Sequence, residues 1–199
     1  MTILIIGRPD SGKSKIAEDM VMEMSAPGER IYLATMIPCG EEGRARIERH
    51  RDMRSGKGFV TIEAPYDLAD ALDASSEGRA LPDVTGTSSA SGIFAVADHS
   101  AGRPCAVRIP DPGSSTVLLE CLSNLVANEM FERHTDKDVL PGKIAGEISK
   151  LAEKAGNLVI VSNHFDIEAG FDADTVRYAE VMDAVNDRIS RMADRTIRL

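Results

Sequence analysis

The chain has 199 residues, of which 28% are charged and 43% hydrophobic, and its formal net charge is −9. That is the composition of a soluble globular protein with enough length for a sizeable core. The acidic balance argues against a general nucleic-acid or anionic-membrane surface, and with no Trp and only 4% aromatic residues an aromatic platform for stacking bases is not expected.

The apolar run Ile3-Leu4-Ile5-Ile6 reads as a buried strand. It leads directly into Gly7-Arg8-Pro9-Asp10-Ser11-Gly12-Lys13-Ser14, the G-x-x-x-x-G-K-[ST] pattern, followed by a helix expected from about Lys13 to Ser25. Glycines let such a loop curl until successive N–H groups face a phosphate chain, and the positive end of the helix adds to their field. Lys13 is then placed to reach the β- and γ-phosphates, and the Ser14 hydroxyl to sit on Mg²⁺. A nucleoside triphosphate, GTP or ATP, is therefore the expected ligand.

Arg30-Ile31-Tyr32-Leu33-Ala34-Thr35 reads as the second strand and Glu41 to Arg54 as a helix. Phe59 to Glu63 is extended, and a short helix spans Asp67 to Asp73. From about 75 to 115 the composition turns to Ser, Gly, Pro, Ala and Asp, an insertion longer than an ordinary connection. Within it, Ile93–Ala97 and Cys105–Ile109 form an expected β-hairpin. Thr116-Val117-Leu118-Leu119-Glu120 resumes the core as a strand ending in a carboxylate. Helices follow at about Cys121–Arg133 and Pro141–Ala155, then a strand at Leu158–Ser162, a helix at Asp174–Met192 and a last strand at Thr196–Leu199. Strands alternating with helices predict an α/β fold: a P-loop NTPase-like three-layer sandwich with a mostly parallel sheet, in a single domain over 1–199. No apolar stretch reaches the length of a membrane span and the N-terminus reads as strand, not signal peptide, so a cytoplasmic location without membrane insertion is expected. Cys39, Cys105 and Cys121 lack metal-ligand spacing and read as reduced thiols.

Two further features carry chemistry. Glu120, ending an apolar strand in a chain with a phosphate loop, reads as a Mg²⁺-coordinating carboxylate, the alternative being a solvated strand-end acid. In the helix, Arg46, His50 and Arg54 recur at a spacing of four and share one face. A histidine between guanidiniums resists protonation, and the neutral imidazole is the nucleophilic form, suited to attack on phosphorus. By spacing alone, a solvated charged helix with pairs such as Glu42–Arg46 accounts for the pattern better.

The loop, the strand Tyr32-Leu33-Ala34-Thr35 and above all Arg46-Ile47-Glu48-Arg49-His50-Arg51-Asp52-Met53-Arg54 resemble the bifunctional adenosylcobinamide kinase/adenosylcobinamide-phosphate guanylyltransferase family of cobalamin biosynthesis. That family's R-I-x-x-H-[RK]-x-x-R helix carries a guanylylated histidine. Leu118-Leu119-Glu120-Cys121-Leu122, Val161-Ser162-Asn163 and Val185-Asn186-Asp187-Arg188-Ile189 with Ala193-Asp194 resemble its later segments. The resemblance implies that Gly7, Arg8, Pro9, Asp10, Ser11, Gly12, Lys13 and Ser14 bind the triphosphate and that Ala34, Thr35 and Met36 line the nucleotide site. His50 would be the covalent nucleophile, and Arg51, Asp52, Met53 and Arg54 would border the bound GMP. Glu63 and Glu120 would complete the nucleotide and metal contacts. It implies a corrinoid acceptor, Mg²⁺ with GTP or ATP, no nucleic acid, and a homo-oligomer, a trimer. Other readings of the same residues are a P-loop kinase of another small molecule and a nucleotide-binding paralogue without guanylyl transfer. Asp10, the His164-Phe165-Asp166-Ile167 segment and the 75–115 insertion depart from the family pattern. His99, His134 and His164 read as solvated, and Cys121 as a small buried apolar side chain.

Overall fold

Alternation along β1 (Thr2–Gly7) sends Leu4 and Ile6 to one face and Ile3 and Ile5 to the other, and all four are buried. A strand buried on both faces needs a covering layer on each. The computed structural model describes residues 1–27, 29–37, 40–76, 94–96, 110–167 and 169–199. In chain order the remaining elements are α1 (Lys13–Met24), β2 (Arg30–Ala34), α2 (Gly40–Arg54), β3 (Phe59–Glu63), α3 (Leu68–Ser76), β4 (Phe94–Val96), β5 (Thr116–Glu120), α4 (Leu122–Ala127), α5 (Leu140–Lys154), β6 (Asn157–Asn163), α6 (Ala173–Ser190) and β7 (Arg195–Arg198).

These strands form one seven-stranded sheet in the order β4-β3-β2-β5-β6-β1-β7. All neighbouring pairs are parallel except β3 with the short edge strand β4. The α/β sandwich expected from the sequence is therefore present. One face packs Leu4, Ile6, Leu33 and Ile160 against α3, α4, α5 and α6; the other packs Ile3, Ile5, Val159 and Val161 against Ala17 and Val21 of α1. Each such side chain, fully buried, contributes about 1.5–3 kcal/mol. In α5, Ile144, Ile148 and Leu151 recur at the helical period and are all buried. Asp172 caps α6 by accepting from the amides of Asp174 and Thr175. Among the described residues no helix is long and apolar enough to cross a membrane.

The first arm of the predicted hairpin is β4, paired antiparallel with β3; its second arm, at 105–109, lies outside the described residues. One expectation changes. The helix expected over 121–133 is α-helical only to Ala127 and continues as a π-helical turn, Asn128–Glu132. There Asn128 donates to the carbonyls of Thr35, at 2.8 Å, and Pro65, at 3.1 Å, while Glu129 is wholly buried and accepts from Thr135 at 2.8 Å and Lys143 at 2.5 Å. These side-chain bonds aim two consecutive polar residues inward, which a plain periodicity does not encode.

Gly156 sits where α5 turns into β6 and its amide donates to Pro112 O at 2.9 Å. A Cβ there would stand 2.8 Å from Gly113 O and 3.0 Å from Ser115 O, both backbone atoms. Gly156→Ala is therefore expected to lower stability by about 1–3 kcal/mol, read as a lower urea midpoint with unchanged slope.

Register fixes what the fold offers to chemistry. Gly7 pairs with Asn163, and Ala34 pairs with both Glu63 and Glu120. The strand-end residues singled out from the sequence thus line one carboxyl edge of the sheet, where ligands of open α/β sheets sit.

Candidate active site

The loop after β1 closes on itself: the Ser11 amide donates to Arg8 O at 3.2 Å, and Gly12 takes the left-handed conformation, φ 81°. That φ is costly for any side chain bearing a Cβ. No side chain caps α1, so the first-turn N–H groups remain for an anion. Lys13 is 6% exposed, and its ammonium donates to Arg8 O at 2.8 Å. Burial lowers its pKa, and the nearby Cys121, Glu120 and Asp10 offset part of that effect. Asp10 is exposed and takes φ 59°. Arg8 is also exposed and pairs with Asp166 at 2.5 Å. His164 is not merely solvated: its ring meets Asp183 at 3.1 Å and Asp166 at 3.4 Å.

Glu120 is the electrostatic centre of the edge. Desolvation raises its pKa, the neighbouring Glu18 pushes the same way, and the Ser14 and Tyr32 hydroxyls and Arg54 favour the ionised form. Its Oε2 is buried without a hydrogen-bond partner. A desolvated carboxylate oxygen left orphaned beside the Ser14 hydroxyl is a donor set that fits a hard divalent cation such as Mg²⁺. Because the folded protein holds the Glu120 proton more tightly than the unfolded chain does, ionisation costs stability. That cost is absent below the ordinary carboxylate pKa and fully developed above the raised one. Glu120→Gln is thus expected to raise the melting temperature of the ligand-free protein at neutral pH while removing the Mg²⁺ dependence of nucleotide binding. A melting temperature that falls would show that the carboxylate is already compensated.

A cleft of about 60 Å³ opens beside Glu120, lined by Tyr32, Ala34, Met36, Ile47, His50, Arg54, Cys121 and Asn124. It brings together five residues expected from the sequence: Ala34, Met36, His50, Arg54 and Glu120. The α2 face that meets it reads Ile47-His50-Arg54; the Arg46 and Met53 side chains lie outside the described residues. Arg54 is 6% exposed, and its guanidinium carbon lies 3.5 Å from the centroid of the Tyr32 ring. Arg51 is ion-paired with Glu63, fastening α2 to the end of β3, and Asp52 is exposed.

Thr35 stands differently from its neighbours. It is wholly buried, its hydroxyl donates to Cys121 O at 2.7 Å and its amide to Glu120 O at 3.2 Å. Its polar groups tie the ends of β2 and β5 together. Sequence reasoning missed Tyr32, Ile47 and Asn124. Tyr32 lies two residues from Ala34 on the same strand face, and Ile47 lies three from His50 on the helix, so both spacings were available as signals.

Behind the cleft, Cys121 Sγ meets Ser123 Oγ at 2.9 Å, and Asn163 donates to the same hydroxyl at 2.6 Å. Asn186 accepts from Ser162 at 2.5 Å and donates to Asn163 O at 3.0 Å. The V-S-N and V-N segments are thus one hydrogen-bonded unit that fixes β6 against α6. Burial raises the Cys121 thiol pKa, which leaves it a poor nucleophile at neutral pH.

No curated protein matches this chain. A protein-family model described as cobinamide kinase / cobinamide phosphate guanyltransferase matches residues 3–100, the stretch that holds β1, the glycine loop, Lys13, Ser14 and the His50 helix. Since that stretch also supplies most of the cleft just described, the motif, the fold and the matched residues agree, and the chain belongs to the cobinamide kinase / cobinamide phosphate guanyltransferase family.

Proposed function

We propose that this protein phosphorylates adenosylcobinamide and then transfers GMP from GTP, through a guanylylated His50, to adenosylcobinamide phosphate, giving adenosylcobinamide-GDP in cobalamin biosynthesis. The observation that carries the reading is that His50, Arg54 and Glu120 line one cleft. In the kinase step the corrinoid hydroxyl attacks the γ-phosphorus, and the bond to the β-phosphate oxygen breaks to release the nucleoside diphosphate. In the transfer, a neutral His50 ring nitrogen attacks the α-phosphorus of GTP, the α–β bond breaks and pyrophosphate leaves. An oxygen of adenosylcobinamide phosphate then attacks that phosphorus, breaking the P–N bond and restoring the imidazole.

Each residue has a stated task. The Gly7–Ser14 loop and the first-turn amides of α1 cradle the β- and γ-phosphates, with Lys13 turning from Arg8 O to them. Ser14 and Glu120 would hold Mg²⁺, which neutralises phosphate charge when bound. Arg54 brings a positive charge to His50's side of the cleft, where its planar fork can face a phosphate. Ala34 and Met36 wall the cleft, and the Arg51–Glu63 pair holds α2 at the end of β3. The protein acts in the cytoplasm as a homo-oligomer, a trimer on the family resemblance.

The test is supply of adenosylcobinamide with ATP or GTP and Mg²⁺, separating the corrinoid products by chromatography. Adenosylcobinamide phosphate, followed by adenosylcobinamide-GDP only when GTP is present, is the expected result. Nucleotide binding with no modified corrinoid would overturn the assignment of the acceptor.

A further inference from the structure

Tyr32 has no task in the reaction just described, yet it borders both charged ends of the cleft. Its ring is 4% exposed, and Phe59 packs against it edge-on, with centroids 6.2 Å apart and planes at 86°. Arg54 lies over the ring at 3.5 Å, and its Nε, though buried, has no hydrogen-bond partner. The Tyr32 hydroxyl hydrogen-bonds to the Glu120 carboxylate. A guanidinium kept out of water ordinarily demands a carboxylate. A carboxylate partner, however, would occupy the N–H fork that a phosphate needs. An aromatic face supports the charge without consuming its donors.

We propose that Tyr32 is a positioning residue of the nucleotide site, its ring, held by Phe59, being the seat that keeps Arg54 desolvated and turned toward the cleft for a phosphate. This rests on the nucleotide reading above and adds a residue to it. On β2 the ring stands two residues before Ala34, so the strand helps set where the guanidinium of α2 lies.

Affinity for GTP in the presence of Mg²⁺, measured by calorimetry, tests it in the full chain with Tyr32→Leu, Tyr32→Phe, Arg54→Ala and the Tyr32→Leu/Arg54→Ala double variant. A cation–π seat corresponds to about 3- to 30-fold in affinity. Tyr32→Leu and Arg54→Ala are each expected to weaken binding by about that factor. The double variant should be no weaker than Arg54→Ala within about twofold, since the ring acts only through the arginine. Tyr32→Phe, which restores the ring face, should recover most of the loss seen with Leu. Wild-type affinity in Tyr32→Leu or in Arg54→Ala, or losses that multiply in the double variant, would overturn the proposal. Should Tyr32→Leu fail to fold, Arg54→Lys decides, because it keeps the charge and the core but not the planar stack. Weakened binding supports the seat, and undiminished binding sinks it. A missing GMP adduct on the wild-type protein would remove the transfer chemistry without touching this affinity cycle, so the two failures are distinguishable.

Discussion

His50→Ala is expected to abolish the acid-labile GMP adduct that intact-protein mass spectrometry should detect on the wild-type protein after incubation with GTP and Mg²⁺. The imidazole supplies the only bond that would hold GMP between the two halves of the transfer, so its loss removes a step instead of slowing it. Steady-state guanylyl transfer should fall by at least about 10³-fold, the scale seen when members of a nucleophilic unit are deleted. Phosphorylation of adenosylcobinamide, which uses the Gly7–Ser14 loop and the γ-phosphate, should survive in part. Folding should be unaffected, because His50 is only half-buried on α2. A His50→Ala protein that transfers GMP normally would show that the covalent route is wrong, whatever the family.

How much of this was legible in the chain depends on how local each feature is. Gly7 to Ser14 announces itself because one short loop must carry both the backbone curl and the Lys13 charge, and the flanking strand and helix are equally local. Glu120 could be found because the apolar run Thr116–Leu119 ends abruptly in a carboxylate. The strands that fall within the described residues came through within a residue or two, since burial on both faces forces continuous apolar runs.

Features that depend on contacts between distant segments did not come through. Thr35 reads as a site residue by position, yet a bond to a carbonyl 86 positions away commits its hydroxyl to joining strands. Arg54 and Tyr32 are 22 positions apart, and no local pattern says that one stacks on the other. Spacing alone favoured a solvated face for α2. That helix has almost no apolar stripe to dock with, and the Arg51–Glu63 pair and the Arg54–Tyr32 stack are among the contacts that hold it. Its polar composition therefore looks like solvent exposure, although Arg51 and Arg54 turn inward to β3 and β2. His164 was misread for the same reason, its partners Asp166 and Asp183 being assembled by the loop and α6 together.

Lys13→Ala carries the other large expected effect, and it separates binding from folding. In the ligand-free protein the ammonium is buried against the loop carbonyl of Arg8, with its pKa lowered chiefly by desolvation. A lysine whose pKa is depressed on folding is a charge that the fold holds at a cost, and that cost is present at every pH low enough to keep it protonated. Removing the side chain relieves the cost while forfeiting one hydrogen bond and some packing. Net stability should therefore change by less than about 1 kcal/mol, checked by thermal unfolding. Binding should respond very differently. Charge-assisted bonds from Lys13 to the β- and γ-phosphate oxygens are worth about 1.5–3 kcal/mol, so affinity for GTP or ATP should fall by about 10- to 100-fold. GMP, which lacks both phosphates, should lose far less. Equal losses for GTP and GMP would mean that Lys13 acts on the loop's shape and not on the phosphates, and equal affinity to wild type would place the triphosphate elsewhere on the edge.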